Sequence, residues 1–486
     1  MSQTRVLMLW LLLAAVLGCT VGPTYQRPDI AVPQQWIHAD QPGLSAGVVE
    51  VLQWRQTLKD PMLDALIERA VHTNLDLRMA AARVREARAL RGVAAADQFP
   101  TVTLSSAYAR NRLSANVTTT PRSIAPEYDL FQSGFDASWE LDLFGRTRRT
   151  VEAASADLAA TEDNRRAVLV TLLAEVTRNY VDVRGFQQRL DITRDNIRTQ
   201  QQTVELTAAR FAAGLSSELD VAQARANLAT TESQVPVLAS SLTQAMHRLS
   251  VLLGKPPGAL LGELARVQPI PLGPESVPIG LPSGLLRRRP DVRRAEQELA
   301  AATARIGVAT ADLFPRFSLL GTLGLRSNDL GSLFSAGSRA WALGPRFLWP
   351  VFDAGRIRAN IEVQTARQET ALARYKRAVL VALEDVENAL VAFAQERLRH
   401  CSLAEAVAAN RRAVALSMEL YTRGVGDFLS VLESQRSLFG SEDQLVQSER
   451  AVVANLISVY KALGGGWEVW TPSERATPRA VAAAGS

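Results

Sequence analysis

Residues 151–211 contain no proline and a single glycine, Gly185. Every seventh residue from Leu169 is apolar: Val176, Val183, Leu190, Ile197, Val204 and Phe211 follow it. An unbroken apolar heptad marks a long helix packed along one seam against other long helices. At roughly 1.5 Å per residue such a helix spans about 90 Å, some three times the hydrocarbon thickness of a bilayer. Its other faces carry Arg, Asp, Glu and Gln, so it is bathed in water and is not a transmembrane helix. The helix stops at Gly214. Ser217 with Asp220 three residues on fits a capping box, and a second helix returns through Leu219, Val221, Leu228 and Leu242. The unit is a very long helical hairpin.

The hairpin occurs twice. About 210 residues further on the seam reappears as Val379, Val386, Phe393, His400, Val407, Val414 and Tyr421, with His400 the one polar member. Gly214 maps to Gly424, Leu219 to Leu429 and Val221 to Val431. Asp97-Gln-Phe-Pro100 is echoed by Asp312-Leu-Phe-Pro315. Matching turn glycines and Phe-Pro sites point to an internal duplication rather than to two unrelated coiled coils.

The chain divides accordingly. Residues 1–18 read as a secretory signal peptide, with Arg5 ahead of an apolar run and small residues before Cys19. Residues 19–60 are proline-rich and extended. The first repeat, 61–253, holds a helix, a strand pair at 99–142 and the hairpin at 147–253. A Pro/Gly-rich linker covers 254–284. The second repeat, 285–465, holds a helix, a strand pair at 314–352 and the hairpin at 356–464. Residues 466–486 form a C-terminal tail, disordered in part. The cysteines are Cys19 and Cys401, and Cys401 is expected as a small buried residue beside the seam.

Between short helix and hairpin the period changes to two. Phe131, Phe135, Ala137, Trp139 and Leu141 alternate with Gln132, Asp136, Ser138 and Glu140. Val102, Leu104 and Tyr108, then Phe317, Leu319 and Leu323, then Trp341, Leu343 and Phe347 repeat the pattern. Segments of about ten residues with one apolar face fit either a tilted membrane strand or a soluble two-stranded appendage. Trp139, Trp341 and Trp349 favour lipid, because tryptophan prefers membrane interfaces. Four strands leave open edges, and open edges do not face lipid. Several chains must then share one barrel, with the helices extending the ring away from the membrane.

With these pieces in order, the chain resembles the TolC-type outer membrane factors, in particular the lipoprotein branch serving resistance-nodulation-division (RND) efflux pumps. The resemblance rests on Gly-Pro-x-Tyr-x-Arg-Pro at 22–28, Asp60-Pro61, Phe144-Gly145-Arg146, Arg288-Arg-Pro-Asp291, Phe352-Asp-Ala-Gly-Arg356 and Tyr421-x-x-Gly-Val425, on their order and on the duplication of the helix, strand pair and hairpin. It implies a mainly α fold with a membrane β-barrel portion. Duplicated helical hairpins would form an α-barrel tunnel, and four transmembrane strands per chain would close as a twelve-stranded barrel in a homotrimer. Val16-Leu-Gly-Cys19 is similar to a lipobox, which makes Cys19 the lipidation site. The family usually has Leu and a small residue where Val16 and Leu17 stand, and an incidental cysteine after a signal peptide is the plainer alternative. Thr20, in place of Asp, points to the outer membrane. The resemblance further implies a periplasmic adaptor and an inner-membrane RND pump as partners, outer membrane lipid around the barrel, and passive export of drugs or other small molecules. Tyr421, Asp427, Ser430 and Glu433 become candidates for the periplasmic gate, although Asp427 also suits a helix N-cap and Glu433 a solvated face. Gly214, Gly424 and Gly426 become candidates for adaptor docking, beside their certain role in chain reversal.

Chemistry is not in view. His38, His72, His247 and His400 lack metal-ligand spacing, and there is no phosphate loop, nucleophile elbow or CxxC pair. No cofactor, no metal and no enzymatic activity are expected. Asp291 and Glu296 read as surface charge. Lys plus Arg at 54 against Asp plus Glu at 49, in an exported chain, does not suggest nucleic acid. An outer membrane duct of a type I protein secretion system is the alternative with the same architecture. A periplasmic adaptor would carry one hairpin, not two, and a structural coiled coil has no use for strands with an aromatic face.

Overall fold

The computed structural model describes residues 20–45, 57–114, 127–274 and 276–470. The signal peptide, Cys19 and the end of the tail lie outside the described residues. The order is β1 (Leu44–Ser45), α1 (Pro61–Thr73), α2 (Leu75–Ala96), β2 (Thr101–Arg112), β3 (Glu127–Leu141), α3 (Arg146–Ala212), α4 (Glu218–Glu232), α5 (Gln234–Leu252), β4 (Val277–Pro278), α6 (Pro282–Arg288), α7 (Pro290–Ala311), β5 (Arg316–Ser327), β6 (Arg339–Leu348), α8 (Arg356–Thr422) and α9 (Phe428–Ala462). The long helices α3 and α8 have 67 residues each. No helix among the described residues is long and apolar enough to cross a membrane.

Contacts gather the chain into two compact units that cut across the duplication. One combines Met1–Asp29, Arg83–Glu162 and Arg294–Lys376; the other combines Ile30–Ala82, Asp163–Arg293 and Arg377–Ser486.

The first unit holds a four-stranded antiparallel sheet in the order β2-β3-β5-β6, so the two hairpins lie side by side and β2 and β6 are its edges. The registers line up Leu104, Phe135, Leu323 and Trp341 in one rung, at 63%, 52%, 63% and 77% exposure. Val102, Ala137, Gly321 and Leu343 form the next rung on the same face. The other face is polar, with Thr103, Asp136 and Thr322 in one rung and Ser105, Gly134, Gly324 and Ala340 in its neighbour. Gly134 and Gly324 face each other so closely that a Cβ on Gly324 would lie 2.6 Å from the Ser133 carbonyl oxygen. Only glycine permits that approach. Below the strands the two long helices begin alike. Asp142 accepts the backbone N–H groups of Thr147 and Arg148, and Asp353 those of Gly355 and Ile357. Trp139 and Trp349, equivalent in the two repeats, donate their indole N–H groups to the carbonyls of Gln98 and Leu313. The N-terminal segment is pinned here: Arg149 reaches the carbonyls of Val21 and Gly22, and Glu296 accepts from Tyr25 and pairs with Arg27.

The second unit is helical. Leu63, Leu66, Ile67, Val176, Tyr180, Val183, Val379, Val386 and Phe393 are buried in it. Asp60 caps α1 through the N–H groups of Met62 and Leu63, and accepts the Tyr180 hydroxyl at 2.6 Å. Arg184, 1% exposed, donates to Gln187 and to the Arg266 carbonyl. Trp467 is sandwiched by the guanidinium groups of Arg166 and Arg293, both paired with Asp163. The tail is therefore packed through Trp467 at least.

Several expectations change. The apolar seam is buried from Leu169 to Leu190, but Ile197 and Val204 are half-buried and Phe211 is 46% exposed. The short helices are each split, at Asn74 and at Arg289, where Pro290 starts a new helix. The first return helix is also split, at Ser233, because Pro236 has no N–H to continue the ladder. Cys401 is exposed, not buried. Asp291 is no free surface charge: it holds Arg289 in a bidentate pair with bonds of 3.0 and 2.7 Å.

Candidate functional site

The two hairpin turns are built on one plan. In each, a glycine with positive φ, Gly214 (φ 73°) or Gly424 (φ 76°), follows the long helix. The N–H of Leu215 reaches the Arg210 carbonyl at 2.8 Å, and that of Val425 reaches the Leu420 carbonyl at 3.0 Å. Gly214 and Gly424 bond back to Phe211 and Tyr421. This is the Schellman arrangement, which satisfies helix-end carbonyls and needs a left-handed residue at the glycine. The return helices are then capped by the same two residue types in opposite order. In the first, Ser217 accepts the Asp220 N–H and Asp220 accepts the Ser217 N–H, the expected capping box. In the second, Asp427 accepts both the N–H and the hydroxyl of Ser430, at 3.0 and 2.5 Å. The Ser430 hydroxyl and backbone N–H hold the Asp427 carboxyl below its ordinary value.

The turns differ in what lies behind them. Tyr421 is buried, with its ring 5.6 Å from that of Phe428, in a cluster with Ala224, Val431 and Leu432. Arg210, from the first hairpin, lies over the Tyr421 ring at 4.7 Å and reaches the Thr422 carbonyl at 3.4 Å. Ser430, Asp427 and Glu433 are exposed, and Glu433 pairs with no cation among the described residues. Of the four gate candidates the structure thus joins Asp427 to Ser430, buries Tyr421 and leaves Glu433 open. Gly426 sits tightly, where a Cβ would meet Leu420 at 3.0 Å, whereas Gly214 has open space around it. Leu215, Leu219, Val425 and Leu429 are apolar and more than half exposed around both turns.

Arg210 is the residue that sequence reasoning missed. It stands off the apolar seam, and only its stacking on Tyr421, some two hundred residues away in the chain, shows its part in the turn. No group of His, Cys, Asp and Glu fit to hold a metal ion occurs among the described residues.

The family model described as "Outer membrane efflux protein" matches residues 66–255 and 281–465, one stretch in each repeat. The solvent efflux pump outer membrane protein SrpC of Pseudomonas putida is 33% identical over 465 residues, covering 93% of this chain and 96% of that protein. The cation efflux system protein CusC of Escherichia coli is 34% identical over 468 residues, covering 93% and 97%. The solved structure of the outer-membrane channel OprN superposes with a TM-score of 0.88 at 38% identity, covering 93% of this chain and all of that one. With its paired hairpins and its one-sidedly apolar sheet, the chain belongs to the outer membrane efflux protein family and is the outer-membrane channel component of a Gram-negative efflux pump.

Proposed function

We propose that three copies of the chain close a twelve-stranded barrel, four strands from each, and that their hairpins continue it as an α-helical tunnel into the periplasm. The observation that carries this reading is the sheet. One of its faces is apolar and exposed, and both its edges are open. Unsatisfied backbone groups in hydrocarbon cost several kcal/mol each, so such a sheet enters lipid only when its edges are joined. The duct is passive and has no catalysis of its own. An inner-membrane RND pump supplies the drive, and a periplasmic adaptor joins the two at the turns of Gly214, Gly424 and Gly426.

The cargo is small molecules. Relatives are named for efflux of solvents and of cations, and the small residues of the polar sheet face suit a permissive passage. Tyr421, Asp427, Ser430 and Glu433 form the periplasmic gate, where acidic groups brought together around an axis repel one another and select cations. Cys19 carries the lipid anchor. Its neighbour Thr20 packs against Gly145, just past the foot of β3.

Planar-bilayer recordings test the gate and the duct together. Asp427→Ser keeps a capping side chain and removes the charge; Asp427→Ala removes both. A gate predicts altered conductance and cation selectivity in both variants. Wild-type currents from both would leave Asp427 a cap and nothing more. Deletion of the gene with the pump expressed should raise drug accumulation; lost protein secretion with unchanged drug accumulation would instead indicate a type I secretion duct.

A further inference from the structure

The duplication carries a template for the contact between copies, and we infer that β6 of one chain pairs with β2 of the next in one defined register, latched at the strand foot by Arg356 against Asp97 of the neighbouring copy. The inference rests on the proposed barrel and adds to it which residues meet.

The template is the junction between repeats inside one chain. There β3, the last strand of the first repeat, pairs antiparallel with β5, the first strand of the second, from Phe131 opposite Ser327 to Leu141 opposite Phe317. At its foot Arg146 pairs with Asp312 at 3.3 Å. The repeats are related by two constant offsets. First strands correspond at 215 residues, as Asp97 to Asp312, and second strands at 210, as Trp139 to Trp349 and Arg146 to Arg356. These offsets map the β2–β3 register onto that of β5–β6: Leu104 opposite Phe135 becomes Leu319 opposite Pro345, which is observed.

Applied to the β3–β5 junction, the same offsets place β6 against a neighbour's β2. Leu141 opposite Phe317 becomes Val351 opposite Val102. Trp139 opposite Leu319 becomes Trp349 opposite Leu104. Arg146 with Asp312 becomes Arg356 with Asp97. Three independent features agree with this placement. The apolar faces coincide, as they must, since a slip by one residue would put the apolar face of one strand on the polar face of the other. Val351, Val102, Trp349 and Leu104 are apolar residues left exposed, at 84%, 61%, 50% and 63%. Arg356 and Asp97 are both exposed, and neither has a hydrogen-bonded or ion-paired side-chain partner among the described residues, whereas their counterparts Arg146 and Asp312 are paired. The strand β6 stops at Leu348 where β3 reaches Leu141, the equivalent of Val351; pairing would complete it. A contact that uses one edge on each copy is head-to-tail, so it closes only as a ring.

Cysteine pairs in the full-length chain, with Cys401→Ser as background, test the register. Val102→Cys with Val351→Cys should convert nearly all chains in outer membranes to covalent trimers on mild oxidation. Val102→Cys with Phe352→Cys, one residue out of register, should not. The pair cannot close within one chain, because three strand spacings of about 4.8 Å separate the two edges and a disulfide needs Cα atoms within about 7 Å. Charge reversal gives a second reading: Asp97→Arg and Arg356→Asp should each lower the fraction of trimer surviving detergent, and the double swap should restore it. Trimers that resist cross-linking at 102/351 but cross-link at 102/352 would overturn the register and leave the barrel intact. Chains that stay monomeric in native mass measurements, without any cysteine, would overturn the barrel itself.

Discussion

Within the helical unit, the two stretches of α3 are packed by different chemistry. From Leu169 to Leu190 the buried heptad line is aliphatic, with Tyr180 beside it and Thr177, Arg184 and Gln187 as its buried polar neighbours, and Val379, Val386 and Phe393 are buried in the same unit. Towards the turn the buried residues are Thr193, Gln200, Thr203 and Thr207, and α9 adds Gln435, Ser441 and Ser448. Most of these hydroxyls bond a carbonyl of their own helix, as Thr207 does to Thr203, and Gln435 donates to Thr203 across the hairpins at 2.9 Å. Apolar burial stabilises by about 25 cal/mol per Å² and tolerates no gap; a hydrogen bond adds about 1 kcal/mol net and can be exchanged for another. The comparison teaches that one stretch is built to be fixed, and the other to be held at lower cost. An aromatic cluster of Tyr421 and Phe428 then closes the polar stretch at the turn.

The largest way to break this contrast is in the apolar stretch. Phe393→Ala, at a fully buried ring, should lower unfolding stability by about 3–5 kcal/mol, read as a lower thermal or denaturant midpoint in detergent. A loss below about 1 kcal/mol there would show that the core is not close-packed. Next comes the first turn, where Ser217→Ala removes a capping box and should cost about 1 kcal/mol, seen as faster hydrogen exchange confined to the start of α4. In the polar stretch Thr207→Val drops a buried hydroxyl bonded to its own helix, whose Thr203 carbonyl keeps its backbone partner, so its effect should stay at about 1 kcal/mol or below. A large loss would erase the distinction between stretches. The smallest effect is local and depends on pH. The folded Asp427 carboxyl lies below its ordinary value through its bonds to Ser430. Its contribution is therefore present above the unfolded value of about 3.9 and is lost as pH falls through the lower folded one. Protection of the amides at the start of α9, taken relative to their intrinsic exchange rates, should therefore fall on acidification in the native chain and not in Asp427→Ala.

Much of this was legible in the chain. The duplication, the turn glycines, the strand alternation and the capping box at Ser217 all follow from local periodicity and local backbone chemistry. Asp291, Glu296 and Cys401 were misjudged for one reason: the sequence shows how a residue sits on its own helix, not what stands opposite. Tyr25 and Arg27 opposite Glu296 come from a distant segment, and Arg289, only two residues from Asp291, is turned onto it by the break between α6 and α7. Arg210 was missed because its partner Tyr421 belongs to the other repeat.

What the sequence determined alone was the set of parts: two long helical hairpins, each with a pair of strands apolar on one side, because helix and strand periods and glycine turns are written in neighbouring residues. Only the tertiary structure decided which line of α3 is buried. The apolar heptad continues through Ile197, Val204 and Phe211, yet the chain turns Thr193, Gln200 and Thr207 inward there. A straight helix has 3.6 residues per turn, so a seven-residue stripe drifts by about 20° per heptad, and which stripe meets the core at a given height depends on the helices around it.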